Sequence, residues 1–116
     1  MTKANFSRKG STYTIEVQGH SGYNRDGPDI VCSACTVLCA ALLQAMLTLE
    51  KMGKARIIEA RPPKDGGFFL CFKGEDPACE ACVFTILQGF LLLENSYKNF
   101  VQVSPEVGRN DFFPIG

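Results

Sequence analysis

The chain has 116 residues, with 12 Lys and Arg balanced by 12 Asp and Glu, one His, six Cys and no Trp. That length suits one domain spanning residues 1–116, and 46% apolar residues supply its core without disulfides. A formal charge of zero excludes an extended cationic surface of the kind that binds nucleic acid or anionic lipid.

The segment from Met1 to Gly10 carries Lys3, Arg8 and Lys9 and lacks the apolar run of a secretory signal, so a cytoplasmic location is expected. The apolar stretches Val37–Leu49 and Val83–Leu93 are interrupted by Gln44, Thr85 and Gln88. Both fall short of the about 20 residues a bilayer span requires, and no membrane contact is expected.

Tyr13, Ile15 and Val17 alternate with Thr12, Thr14, Glu16 and Gln18, which predicts a half-buried strand. Ala4–Lys9 is expected to pair with it across a turn at Gly10-Ser11. Gly19 to Asp29 holds three Gly and one Pro in eleven residues and reads as a mobile loop. Asp29 then supplies a cap for a helix from Ile30, with apolar residues at 31, 35, 38, 42, 46 and 49 and a stop at Gly53. Two further strands, Ala55–Ala60 ended by Pro62-Pro63 and Phe68–Phe72, suggest a hairpin around Gly66-Gly67.

Asp76-Pro77 repeats the helix-start pattern, and Cys79, Cys82, Ile86, Phe90, Leu93 and Tyr97 mark one face of a second helix. Phe84, Leu87, Leu91 and Leu92 widen that apolar surface, which points to self-association. Phe100–Val103 is a short last strand, and the tail to Gly116, with its Phe112-Phe113 pair, has no pattern. The order β-β-α-β-β-α-β predicts an α+β fold, a two-layer sandwich with a mainly antiparallel sheet and two long helices packed on one face.

In such a fold the loop before the first helix gathers polar groups beside a helix amino terminus. His20 lies in that loop and Cys32 in the first turn of the helix. A cysteine attacks as thiolate, and helix-terminal amides and a nearby imidazolium both favour that anion. The same amides suit an oxyanion at an acyl carbon, and a histidine can return the proton to a leaving amine.

Gly19-His20-Ser21-Gly22-Tyr23, followed by Gly27-Pro28-Asp29-Ile30-Val31-Cys32-Ser33-Ala34, resembles the ribosomal-processing cysteine protease family. There a Gly-His-Ala-Gly motif precedes an Asp-Ile-Val-Cys-Ala motif at a matching interval. The resemblance implies a cytoplasmic, homodimeric endopeptidase that needs no cofactor. Its substrate would be the amino-terminal extension of a large-subunit ribosomal protein precursor, the one numbered twenty-seven, cut after a pair of aromatic residues. Carried over, Cys32 matches the nucleophile, His20 the general base and acid, Asp29 the acidic position, Gly19 the small residue beside the histidine and Thr36 a hydroxyl position one turn on. Ser21, Gly22, Tyr23 and Gly27 fall in the loop over which the peptide would lie, and that loop is expected to order on binding it.

Three positions depart from the family pattern: Ser21 and Ser33 stand for Ala, and Cys35 for an apolar residue. Cys32-x-x-Cys35 at a helix start is also the arrangement of thiol-disulfide oxidoreductases. Together with Cys79-x-x-Cys82 it offers four thiolates to zinc, although both pairs open helices rather than knuckles and no metal is expected. Cys39 and Cys71 read as core hydrophobes. A binding module presenting Glu75, Asp76 and Glu80 to a basic partner is a further alternative, and the Phe112-Phe113 pair, followed by Pro114, reads as a coincidental likeness to the family's substrate.

Overall fold

Period-two alternation in three neighbouring strands places one apolar row on each, and their registers align those rows. In the computed structural model, which describes residues 1–104, β1 (Thr2–Lys9) and β2 (Thr12–Gln18) form an antiparallel hairpin with Phe6 opposite Ile15 and Ala4 opposite Val17. Gly10 turns it at φ +61°, a left-handed conformation that glycine adopts without a Cβ clash. β4 (Gly67–Lys73) pairs with the other edge of β2, setting Leu70 opposite Ile15 and Phe72 opposite Tyr13. The Phe112-Phe113 pair lies outside the described residues.

The sheet order is β3-β4-β2-β1-β5, with β3 (Arg56–Lys64) and β5 (Val101–Ser104) at the edges. All pairings are antiparallel except β1 with β5. Pro62 and Pro63 do not end β3, as the sequence suggested, but lie within it. An edge strand tolerates them because its outer N–H groups need no partner, and the pairing shifts between Arg61 and Lys64 to accommodate them.

One sheet face, carrying Ala4, Phe6, Tyr13, Ile15, Leu70 and Phe72, is buried beneath α1 (Ile30–Lys51) and α2 (Pro77–Ser96). The stripe of α1 follows the predicted spacing, with Cys39 in place of Leu38 among its buried residues. Leu38 instead meets α2 at Gly89, where an added Cβ would stand 2.7 Å from its Cδ2. On α2 the buried face is Cys79, Val83, Ile86, Leu87 and Phe90, so Val83 and Leu87 displace Cys82, Leu93 and Tyr97 to the flank. Cys71 alternates onto the opposite sheet face, outside the core predicted for it, and receives the Thr14 hydroxyl at 3.6 Å.

At 22 and 20 residues the helices are longer than their uninterrupted apolar stretches, and both reach the length and apolarity of a bilayer span. Their packing on the sheet accounts for one apolar face of each. Outer positions retain exposed apolar groups, notably Val37 (66% exposed) and Leu92 (69%).

Phe90 is fully buried, its ring meeting Phe6 edge-on at 5.9 Å. Phe90→Ala is expected to cost about 3–5 kcal/mol in urea unfolding, through lost burial and the cavity left between helix and sheet.

Candidate active site

Asp29 joins the β2–α1 loop to the first turn of α1. Its Oδ1 accepts the N–H groups of Val31 and Cys32, both at 2.9 Å. Its Oδ2 accepts the Ser21 hydroxyl at 2.6 Å and the Asn24 N–H at 3.3 Å. Burial would raise this carboxyl, but the Ser21 hydroxyl and the N–H groups of Cys32, Asn24 and Val31 outweigh it and hold the group at about 2, below its ordinary 3.8. The sequence gives the first amides of α1 two roles, bonding the Asp29 cap and holding an oxyanion. Asp29 already occupies those of Val31 and Cys32, and the Ser33 N–H bonds the Asp29 carbonyl at 3.0 Å.

Ser21 is buried and turned inward. Its N–H donates to Cys32 Sγ at 3.2 Å, and its hydroxyl oxygen accepts the Tyr23 N–H at 3.1 Å. The loop beyond it is tied by Asn24, whose side-chain amide donates to the Pro28 carbonyl at 2.9 Å. Tyr23 packs edge-on against Tyr97 and Phe100, with ring centroids 5.4 and 5.3 Å away. Gly22 and Gly27 line a hollow with His20, Asn24, Asp29 and Cys32.

His20 and Cys32 also share a cavity of about 360 Å3, with Thr36 on its wall and Cys35 and Cys39 among its lining. Thus the structure brings the histidine and the cysteine to one place, although no hydrogen bond joins them among the described residues. The imidazole is exposed and lies over the β3–β4 turn. A Cβ on Gly66 would come within 3.0 Å of its Nε2. Gly19, at φ +92°, donates its N–H to the Gly66 carbonyl at 2.8 Å and accepts the Thr2 hydroxyl at 3.1 Å. A side chain there would run into the Met1 carbonyl oxygen.

The far wall of this cavity is the hairpin tip Pro63–Gly67, which is not legible in the sequence as part of a site. Its turn chemistry was legible at Gly66-Gly67, but nothing local said that the turn lies against His20.

The cysteines divide by depth. Cys32 is half-buried, whereas Cys35 and Cys39 are 5% and 2% exposed. Burial, then the neighbouring Cys32 and Asp29, pushes Cys35 up to about 11. Burial, then Cys35, pushes Cys39 up to about 12. Both are neutral packing groups at physiological pH. Cys79 sits under Gly74, its thiol donating to the Lys54 carbonyl at 3.5 Å, with burial raising it as well. Among the described residues no three of His, Cys, Asp and Glu are grouped so as to hold a metal ion, so the two Cys-x-x-Cys pairs do not form one site.

The family model for the cysteine protease Prp matches residues 1–102. The chain belongs to the cysteine protease Prp family. It is therefore a peptidase with a cysteine nucleophile, and the architecture agrees with solved structures. The essential ribosomal processing protease Prp of S. aureus, in complex with a covalently linked product peptide, superposes with a TM-score of 0.66 at 17% identity, covering 89% of this chain and 97% of that one. A Streptococcus mutans protein gives 0.64 at 23% identity, covering 89% and 91%. The S. aureus Prp with a substrate peptide gives 0.63 at 15%, covering 90% and 98%. At these identities the structural likeness shows the fold alone. No curated protein sequence matches this Prp-family chain.

The depressed Asp29 carboxyl links stability to acid. Because its folded value of about 2 lies below its ordinary 3.8, its contribution is present above pH 3.8 and is lost as pH falls toward 2. Asp29→Asn, which keeps a side-chain oxygen for the cap, is expected to reduce the decline of the urea midpoint over that window; an unchanged acid limb would contradict the linkage.

Proposed function

We propose that this Prp-family protease works in the cytoplasm and removes the amino-terminal extension of the large-subunit ribosomal protein numbered twenty-seven, with Cys32 as nucleophile and His20 as general base and acid. The observation that carries the reading is the meeting of Cys32, at the start of α1, with His20 around one shared cavity. The peptides bound by S. aureus Prp, one of them a covalently linked product, support a peptide substrate. Six free thiols suit a reducing compartment.

Cys32 Sγ attacks the scissile carbonyl as His20 takes the thiol proton. The tetrahedral adduct collapses to a thioester, and His20 gives its proton to the departing amine. Water, deprotonated by the same imidazole, then releases the new carboxylate. Asp29 orients the first turn of α1 and the loop that carries His20. Thr36 lines the substrate cavity one turn beyond the nucleophile. Ser21, Gly22, Tyr23 and Gly27 form the loop on which the peptide lies. Gly19 keeps the approach to His20 narrow enough for the hairpin tip to form the opposite wall. The buried, neutral Cys35 favours this hydrolytic reading over dithiol exchange.

A peptide spanning the extension, incubated under reducing conditions and read by mass spectrometry, is expected to be cut once after an aromatic residue. Cys32→Ala abolishes the cut, His20→Ala slows it by about 10²–10⁴-fold, and Cys35→Ala retains it. Cleavage that survives in Cys32→Ala defeats the assignment; loss in Cys35→Ala as well returns the dithiol reading.

The exposed outer positions Val37 and Leu92 support pairing of two copies through the helical layer. Sedimentation is expected to give twice the chain mass and to fall to one chain in Val37→Glu/Leu92→Glu. A single-chain mass in the unmodified protein would contradict the dimer.

A further inference from the structure

The Ser21 hydroxyl has one proton and a contact with each of two acidic groups. It donates that proton to Asp29 Oδ2 at 2.6 Å, a short charge-assisted bond. Its oxygen accepts the Tyr23 N–H at 3.1 Å and the Cys32 thiol at 3.6 Å. One donor and two acceptor sites exhaust what a hydroxyl offers. At 2% exposed, Ser21 has little water to exchange for these partners.

We propose that Ser21 is a positioning residue that keeps Cys32 a neutral thiol until peptide binds, because its hydroxyl proton is committed to Asp29 and its lone pair faces the sulfur. This rests on the reading of Cys32 as the nucleophile. A thiolate in the resting site would face that lone pair, unless the hydroxyl left its tightest partner and turned to the sulfur. The Ser21 N–H at 3.2 Å favours the anion, but a backbone group is common to every variant at this position. The S–H proton moves to His20 only when a bound carbonyl is attacked, with the new S–C bond replacing the S–H bond.

Other titratable and charged groups around the sulfur are Asp29 at the cap, Cys35 beneath, His20 and Arg25 from the loop, and Lys64 and Asp65 from the hairpin tip. Of these, Asp29 alone bonds the Ser21 hydroxyl. Ser21→Ala removes that donor and leaves the carboxylate charge fuller, which opposes a thiolate, so a lower midpoint in Ser21→Ala would run against the Asp29 effect, while Ser21→Thr keeps the bond.

The test is the rate of Cys32 alkylation by iodoacetamide, without peptide, followed by mass spectrometry of the Cys32 fragment across a pH series. Ser21→Ala is expected to alkylate several-fold faster than the unmodified enzyme at neutral pH, with its midpoint moved to lower pH. Ser21→Thr, which keeps the hydroxyl, is expected to restore the original profile. An unmoved or higher midpoint in Ser21→Ala overturns the proposal. So does a rate raised equally at every pH, which would show only that a loosened loop exposes the sulfur. Peptide cleavage by the unmodified enzyme, lost in Cys32→Ala, is measured alongside. Intact cleavage with an unmoved midpoint defeats the role of Ser21 alone, whereas a moved midpoint without Cys32-dependent cleavage defeats the protease assignment alone.

Discussion

The Asp29 carboxylate is the joint on which the site depends. It ends the loop that carries the histidine and starts the helix that carries the cysteine, and its two oxygens face different elements. One oxygen takes the first free amides of α1, which would otherwise be unsatisfied in a partly buried helix end. The other holds Ser21 and Asn24. A single charge thereby supplies the cap and ties the loop at Ser21 and Asn24 to the helix turn that carries Cys32. An Asp whose only task was capping would not require the second set of donors.

That economy has an electrostatic consequence. The positive end of a helix favours a thiolate, but a carboxylate seated on the same amides offsets much of it. The donor left for the sulfur is the Ser21 peptide N–H, which comes from the loop. Reactivity is therefore assembled between two elements rather than supplied by the helix. The deeper cysteines show the contrast: one turn and two turns below, Cys35 and Cys39 have the same side chain without the polar surroundings, and burial leaves them inert.

The other half of the site depends on close backbone approach. The imidazole lies over a turn without a side chain at Gly66, and the strand leading to it passes Met1 through a residue with no room for one, Gly19. Pairing of β2 with β4 places the β3–β4 turn at the end of β2 from which the loop departs. The sheet order therefore decides what faces His20.

Local rules read from the sequence reached far into this molecule. Alternation located β2, caps at Asp29 and Asp76 started both helices, and the α+β order followed, because each rests on contacts between residues near in sequence. His20 and Cys32 were legible for a similar reason: the motifs that carry them lie within a short segment. The sequence did not reveal that β3 continues through Pro62-Pro63, since proline is tolerated there only because β3 lies at an edge. Nor did it show that Cys71 faces away from the core, that Val83 and Leu87 displace Cys82 and Leu93, that the second oxygen of Asp29 holds Ser21 and Asn24, or that the Gly66 turn walls the cavity. Each of these depends on which strand or helix lies alongside. Periodicity specifies the spacing of a face, whereas packing between distant segments decides which residues it buries and which groups it brings to the sulfur.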